Sequence, residues 1–220
     1  EGRILEIVVN DHTKNLELLV FKNRNVSDVE EIIISRGDSE ASLVYDNGFL
    51  KRFKNVTSFT SGVGVVDVRT GEELYAFEFT ELFPNLTSLS IPGRIFTVRE
   101  GGALKVLLNL KKLQYKNLES LTFSTKPPFI TGNFFTTDVA IPSLKKIGMT
   151  IAEKAPRVYG RRHDSSEWNI EELQLFSARP RTLDEGPMDF SFVPASVTSL
   201  TTSEIVEGST IPSTVTKYNG

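Results

Sequence analysis

The side chains that could do chemistry are few and badly spaced for it. The chain contains no cysteine, which removes disulfides, thiolate metal sites and a cysteine nucleophile together. Two histidines, His12 and His163, give little basis for a histidine metal site or a catalytic triad. His163 stands next to Asp164, but no serine nearby sits in the strand–turn–helix setting of a nucleophile. Paired carboxylates occur at Glu30-Glu31, Glu72-Glu73 and Glu171-Glu172. Neighbours on a strand point to opposite faces, so such pairs are poorly placed to act as acid and base on one substrate. Gly62-Val63-Gly64 and Gly101-Gly102 lack the remainder of any phosphate-binding loop. No metal, no cofactor and no enzymatic activity are therefore expected. The most unusual local composition runs from Arg157 to Trp168. Arg161 and Arg162 could grip an acidic partner there, with Trp168 stacking alongside. The blander reading, a solvated loop whose Asp164 and Glu167 partly offset the arginines, is favoured.

The elements that would position any of these groups come from a chain of ordinary globular composition. Of its 220 residues 39% are apolar and 24% charged, which suits a folded domain and not a disordered one. The 25 basic and 28 acidic residues leave a formal charge of −3. Such a balance supplies no electrostatic reason for nucleic acid or an anionic membrane as partner. The longest apolar stretches, such as Val63–Val66 and Ile32–Ile34, are far too short to span a bilayer.

One phrase recurs along the chain. Phe53-Lys-Asn-Val-Thr-Ser-Phe59, Phe83-Pro-Asn-Leu-Thr-Ser-Leu-Ser-Ile91 and Tyr115-Lys-Asn-Leu-Glu-Ser-Leu-Thr-Phe123 share a plan. Ile141–Met149, Trp168–Leu175, Val193–Leu200 and Ile211–Tyr218 follow it. Each has a first apolar slot, a second three residues later and a third two beyond that. The first slots fall at Ile4, Val29, Val56, Leu86, Leu118, Leu144, Ile170, Val197 and Val215, with steps of 25, 27, 30, 32, 26, 26, 27 and 18. Only Ser61, Thr202 and Gly220 break the apolar pattern of the three slots. From the second copy onward the residue before the first slot is Asp28, Asn55, Asn85, Asn117, Ser143, Asn169, Ser196 or Thr214. Short polar residues of this kind tolerate turns, which suits the entry to a strand.

Apolar slots two apart lie on the same face of a strand. One such strand cannot bury that face alone, whereas stacked copies form a parallel sheet with a continuous core behind it. The expectation is one domain over residues 1–220 of about eight to nine irregular repeats, cut from a longer chain because it stops inside a repeat. Leu104, Leu107 and Leu108 at helical spacing predict a helix over 102–113. Phe49, Leu50, Phe53, Phe79, Leu82 and Phe83 are expected to anchor the core from behind. Residues 61–73, with Thr70-Gly71, suggest an extra hairpin, while 125–142 and 177–191 have loop composition.

The positions between the slots should face outward. They include Thr57, Ser58, Thr60, Ser88, Ser90, Ser120 and Thr122, then Lys146, Glu172 and Gln174, and finally Thr198, Ser199 and Thr201. Thr57, Thr60, Ser88, Ser90, Ser120, Thr122, Lys146, Glu172 and Gln174 are the candidate binding residues of a hydroxyl-rich face with a charged sector. Against this stands the fitness of threonine for any exposed strand position, and the face has no aromatic anchors. Three sequons occur, at Asn25, Asn55 and Asn85; two follow from the repeat's own preference for asparagine followed by threonine.

Phe83-Pro-Asn-Leu-Thr-Ser-Leu-Ser-Ile resembles the Leu-x-x-Leu-x-Leu strand of leucine-rich-repeat proteins. Val193-Pro-Ala-Ser-Val-Thr-Ser-Leu and Ile211-Pro-Ser-Thr-Val-Thr are similar to the Ile-Pro-x-Ser-Val-x-x-Leu phrase of BspA-like and FNIP-type repeats. The chain departs from the family in its wandering step length and in lacking a consistent asparagine after the strand. The resemblance implies an α/β repeat solenoid, a leucine-rich-repeat horseshoe with a parallel sheet on one face and helices or irregular crossovers on the other. It further implies a non-catalytic module for protein–protein interaction or adhesion, with a protein partner ahead of a glycan. A secreted or cell-surface setting is slightly favoured over the cytoplasm. The alternative from another class is a parallel-β solenoid enzyme acting on polysaccharide.

Overall fold

A computed structural model describes residues 3–10, 25–37, 42–45, 47–93, 99–100, 103–104, 112–125, 129–130, 140–151, 168–177, 190–191, 193–202 and 208–219. The chain is a parallel β-solenoid built as two compact units. Residues 1–109 and 123–126 make the first; residues 110–122 and 127–220 make the second.

In the first unit β1 (Arg3–Val9), β2 (Val29–Arg36), β4 (Ser58–Ser61) and β6 (Ser88–Pro92) pair in parallel and in that order. A second, two-stranded parallel sheet joins β3 (Leu43–Tyr45) to β5 (Val65–Asp67). Two short helices, α1 (Asn47–Leu50) and α2 (Ala76–Leu82), carry the chain back toward the next strand. The first turn of α2 is closed by the Glu78 carboxylate, which accepts from the Tyr75 amide at 2.7 Å. A small antiparallel pair, β7 (Arg99–Glu100) and β8 (Ala103–Leu104), ends the unit's described elements. In the second unit β9 (Ser120–Thr125), whose last three residues belong to the first unit, is followed by β11 (Lys146–Ile151), β12 (Glu172–Ser177), β13 (Ser199–Thr202) and β14 (Lys217–Asn219), again all parallel. Strand β10 (Phe129–Ile130) pairs with the far end of β11.

The apolar slots set the register. Ile32 pairs with Phe59 and Phe59 with Leu89; Leu121, Ile147, Leu173, Leu200 and Tyr218 form the matching row of the second unit. From the second copy to the eighth, first and second slots are all buried. Ser61 and Thr202, the polar exceptions, are buried too, and each has a hydrogen-bond partner. The Ser61 hydroxyl donates to the Val63 carbonyl at 2.6 Å, and Thr202 Oγ1 lies 3.2 Å from the Tyr218 hydroxyl. Behind β4 the Phe59 ring meets Phe79 at 4.7 Å and Phe83 at 5.5 Å between centroids. Phe49, Leu50, Phe53, Phe79, Leu82 and Phe83 are all buried, as the sequence leads one to expect. Each such aromatic contact contributes about 0.5–1.5 kcal/mol beyond the area it buries.

Four expectations are corrected. In the first copy Ile4 is 52% exposed, because β1 is extended from Arg3 and residues three apart then face opposite sides. In later copies such as Val56 and Leu86 the first slot follows a turn and precedes its strand, so it is not bound to the strand's alternation. The pairing follows suit: Leu5 lies opposite Ile32 and Ile7 opposite Ile34, two residues out of the expected alignment. Second, the start of the expected 102–113 helix is strand β8; Lys112 and Leu113 are helical, and 105–111 lie outside the described residues. Third, the 61–73 segment does return on itself, through a Val66–Glu73 bridge and Gly71 at φ 70°, but its main pairing is the parallel one with β3. Fourth, Phe129–Ile130, inside the expected 125–142 loop, is strand.

Candidate functional site

In a stacked parallel sheet, residues at one repeat position line up as rows running across the strands. In the first unit the outward rows are Glu31, Ser58, Ser88 and Ile33, Thr60, Ser90. In the second they are Ser120, Lys146, Glu172, Ser199, Lys217 and Gly148, Gln174, Thr201, Asn219. Every candidate sheet residue except Thr57 and Thr122 therefore occupies an in-row position. Thr122 follows Leu121 on β9, one residue past the described pairing with β11.

Not all these groups are available to a ligand. The Thr57 hydroxyl donates to the Glu30 carbonyl of the preceding coil at 3.3 Å. Ser58 Oγ donates to the Glu31 carboxylate at 3.2 Å. Lys146 Nζ lies 2.8 Å from Glu172 Oε1, to which Gln174 Nε2 also donates at 3.2 Å. The expected charged sector thus includes one ion pair with an amide attached, and Lys145 Nζ beside it lies 3.8 Å from Glu119 Oε2. Two half-buried side chains so paired present a nearly neutral surface. In contrast the hydroxyls of Thr60, Ser88, Ser90, Ser120 and Thr122 have no partner among the described residues. On β11 the row is interrupted at Gly148, where a Cβ would have Gln174 and Phe176 as its nearest neighbours at 3.6–3.8 Å.

Of the loop candidates, Arg161 and Arg162 lie outside the described residues. Trp168 is corrected: it is 1% exposed and belongs to the core, so it cannot stack on a partner at the surface.

The short polar residue before the first slot is expected at a turn, and Asp28, Asn55, Asn85, Ser143, Ser196 and Thr214 do sit in turns; the structure gives some of these side chains a second task. Asn85 Nδ2 donates to the Lys54 carbonyl at 3.1 Å and Asn169 Nδ2 to the Pro142 carbonyl at 2.9 Å. Asn55 Nδ2 donates to the Ser27 carbonyl at 2.5 Å, and the Ser143 hydroxyl, with Lys116 and Leu118 carbonyls at 2.9 and 2.8 Å, donates its one proton to either. In every case the acceptor lies on the preceding coil, in the first three and in the Ser143–Lys116 bond two residues before its first slot. These side chains stitch coil to coil. The hydroxyls of Ser196 and Thr214, at the same repeat position, are buried without a partner among the described residues.

Two surface features escaped the pattern. Tyr115, aligned in sequence with the buried Phe53 and Phe83, is 90% exposed, while Leu113 is fully buried in its stead. The reverse turn has moved with it: Lys116 N donates to Leu113 O, whereas in other coils the first slot bonds the residue three before it, as Leu86 N does to Phe83 O. Nothing in the aligned phrase signals this; only the spare leucine two residues upstream hints at it. Phe176, 38% exposed beside Gly148, likewise falls just past the three slots.

Among the described residues no group of three or more His, Asp or Glu is placed to hold a metal ion, and no helix is long and apolar enough to cross a membrane. Compared with known protein families, with curated proteins and with solved structures, the chain matches none.

Proposed function

We propose that this protein is a non-catalytic binding module: a leucine-rich-repeat solenoid that engages a protein partner through the outward face of its sheet, with a glycan as the second ligand class. The observation that carries the reading is a set of hydroxyls on outward strand positions of each unit, without a partner among the described residues. Thr60, Ser88 and Ser90 sit on adjacent strands of the first unit, and Ser120 and Thr122 on β9 of the second, none of their hydroxyls bonded among the described residues. Groups held by a rigid ladder lose little freedom on binding, which favours recognition of a polar, shape-matched surface. Because Lys146 and Glu172 satisfy each other, the face selects by hydrogen-bonding pattern more than by charge.

The test places a photoreactive side chain at Ser90 or Gln174 on the face, and at Lys51 or Glu81 on exposed return segments. Irradiation of cell extract should give a discrete adduct from the face positions and none from Lys51 or Glu81. Adducts confined to the return segments would overturn the assignment of the face.

A further inference from the structure

The three sequons are not equivalent in the fold. At Asn55-Val56-Thr57 and Asn85-Leu86-Thr87 both polar side chains are consumed by the same device. Each asparagine amide donates to the preceding coil, to Ser27 O and to Lys54 O, and each threonine hydroxyl donates two residues on, to Glu30 O at 3.3 Å and Thr57 O at 3.2 Å. Asn-x-Thr is here a two-pronged clasp between coils, and the fold itself explains why these residues recur.

Asn25-Val26-Ser27 sits elsewhere in the repeat, four and two residues before the first slot Val29; its side chains take no part in that clasp, to which Ser27 contributes only the backbone carbonyl that accepts from Asn55. Asn25 and Ser27 are both exposed, while Val26 between them is buried and fixes the tripeptide to the surface. Asn25 Oδ1 accepts from the Ser27 amide at 3.0 Å and from the Ser27 hydroxyl at 2.7 Å. Donation of two hydrogen bonds to the carbonyl oxygen polarises the amide, and the reactive nitrogen, Nδ2, has no partner among the described residues.

We infer that Asn25 is an N-glycan acceptor and that Asn55 and Asn85 are not. In the transfer, Asn25 Nδ2 attacks C1 of the first sugar of a lipid-linked oligosaccharide. The N–C1 bond forms, the bond from C1 to the pyrophosphate oxygen breaks, the lipid pyrophosphate leaves, and the amide proton passes to a base of the transferase. Transfer competes with folding: once coils close, the Asn55 and Asn85 amides are held by the preceding coil, whereas the Asn25 amide stays available in the folded state.

The full chain, expressed behind a signal peptide in a eukaryotic secretory host, tests this. Enzymatic release of N-glycans should shift its mass by one glycan, and peptide mapping should find Asn25 occupied with Asn55 and Asn85 empty. Asn25→Gln should abolish the shift while leaving secretion intact, since the bonds its side chain makes stay within the exposed Asn25–Ser27 turn and Val26 keeps its burial. An empty Asn25, or Asn55 and Asn85 occupied to the same extent, would overturn the inference. Neither result bears on the partner reading of the sheet face, which the crosslinking experiment addresses separately.

Discussion

Replacing Asn85 separates two accounts of the residue before the first slot. If it acts as a turn former, aspartate serves nearly as well as asparagine, since both side chains bond local backbone and tolerate turns. If it stitches coils, aspartate is the worse choice, because the bond at 3.1 Å needs an N–H donor facing the Lys54 carbonyl. Asn85→Ala removes one neutral hydrogen bond at an exposed position, where water can rehydrate the carbonyl left behind. The expected loss is about 0.5–1 kcal/mol, the lower part of the usual range. Asn85→Asp removes the same bond and sets a carboxylate oxygen against a carbonyl oxygen, raising the loss to roughly 1–2 kcal/mol. For a chain of this length such losses lower Tm by about 1–4 °C for alanine and about 2–8 °C for aspartate. Calorimetry of the three proteins at pH 7 measures both. The order expected is Asn, then Ala, then Asp. An aspartate variant as stable as the parent would refute the stitching account and leave the residue only its place in the Phe83–Leu86 turn.

Three further outcomes follow from the same geometry. Ser196→Asn should raise stability by about 0.5–1 kcal/mol, because asparagine extends the stitch to a coil whose hydroxyl is buried and unpartnered; an unchanged urea midpoint would count against it. Gly37→Ala should destabilise by about 1–3 kcal/mol, since a Cβ would stand 2.6 Å from the Val9 carbonyl oxygen, a backbone atom with little room to move; Gly62→Ala, whose nearest neighbours are at 3.6 Å, is the control that should cost less. The Tyr45 hydroxyl is buried without a partner among the described residues, and burial, with Asp67 and Glu78 adding to it, pushes its pKa above the ordinary tyrosine value. The folded state therefore holds this proton more tightly than the unfolded one, so stability is full below about pH 10 and falls as pH rises beyond it. Tyr45→Phe should be neutral or slightly stabilising at pH 7 and should lessen that alkaline loss, as read from urea unfolding at pH 8 and pH 11.

The repeat, the parallel pairing and the slot and anchor residues of the core were legible in the residue order, for a physical reason: slots that must share one buried face have to be apolar at fixed spacing in every copy; Leu43, Tyr45, Val65, Leu113 and Trp168, also buried, lay outside that pattern. Even Ser61 and Thr202, which break the composition rule, occupy the positions that the spacing assigned them. Side-chain type and period could not say which groups reach across coils. Asn55, Asn85 and Asn169 suit a turn equally well, and only the stacking of one coil on the next brings the acceptor carbonyls within reach. The same holds for Thr57, whose hydroxyl the neighbouring coil takes up, and for Trp168, apolar enough for the core and drawn into it. Where apolar residues are abundant the sequence offers two solutions and packing selects one. Ile4, Leu5, Ile7, Val8 and Val9 supply both faces of β1, so its register was decided by pairing with β2. Leu113 and Tyr115 compete for one anchor position, and the buried site takes the residue with no hydroxyl to satisfy, leaving the tyrosine in water.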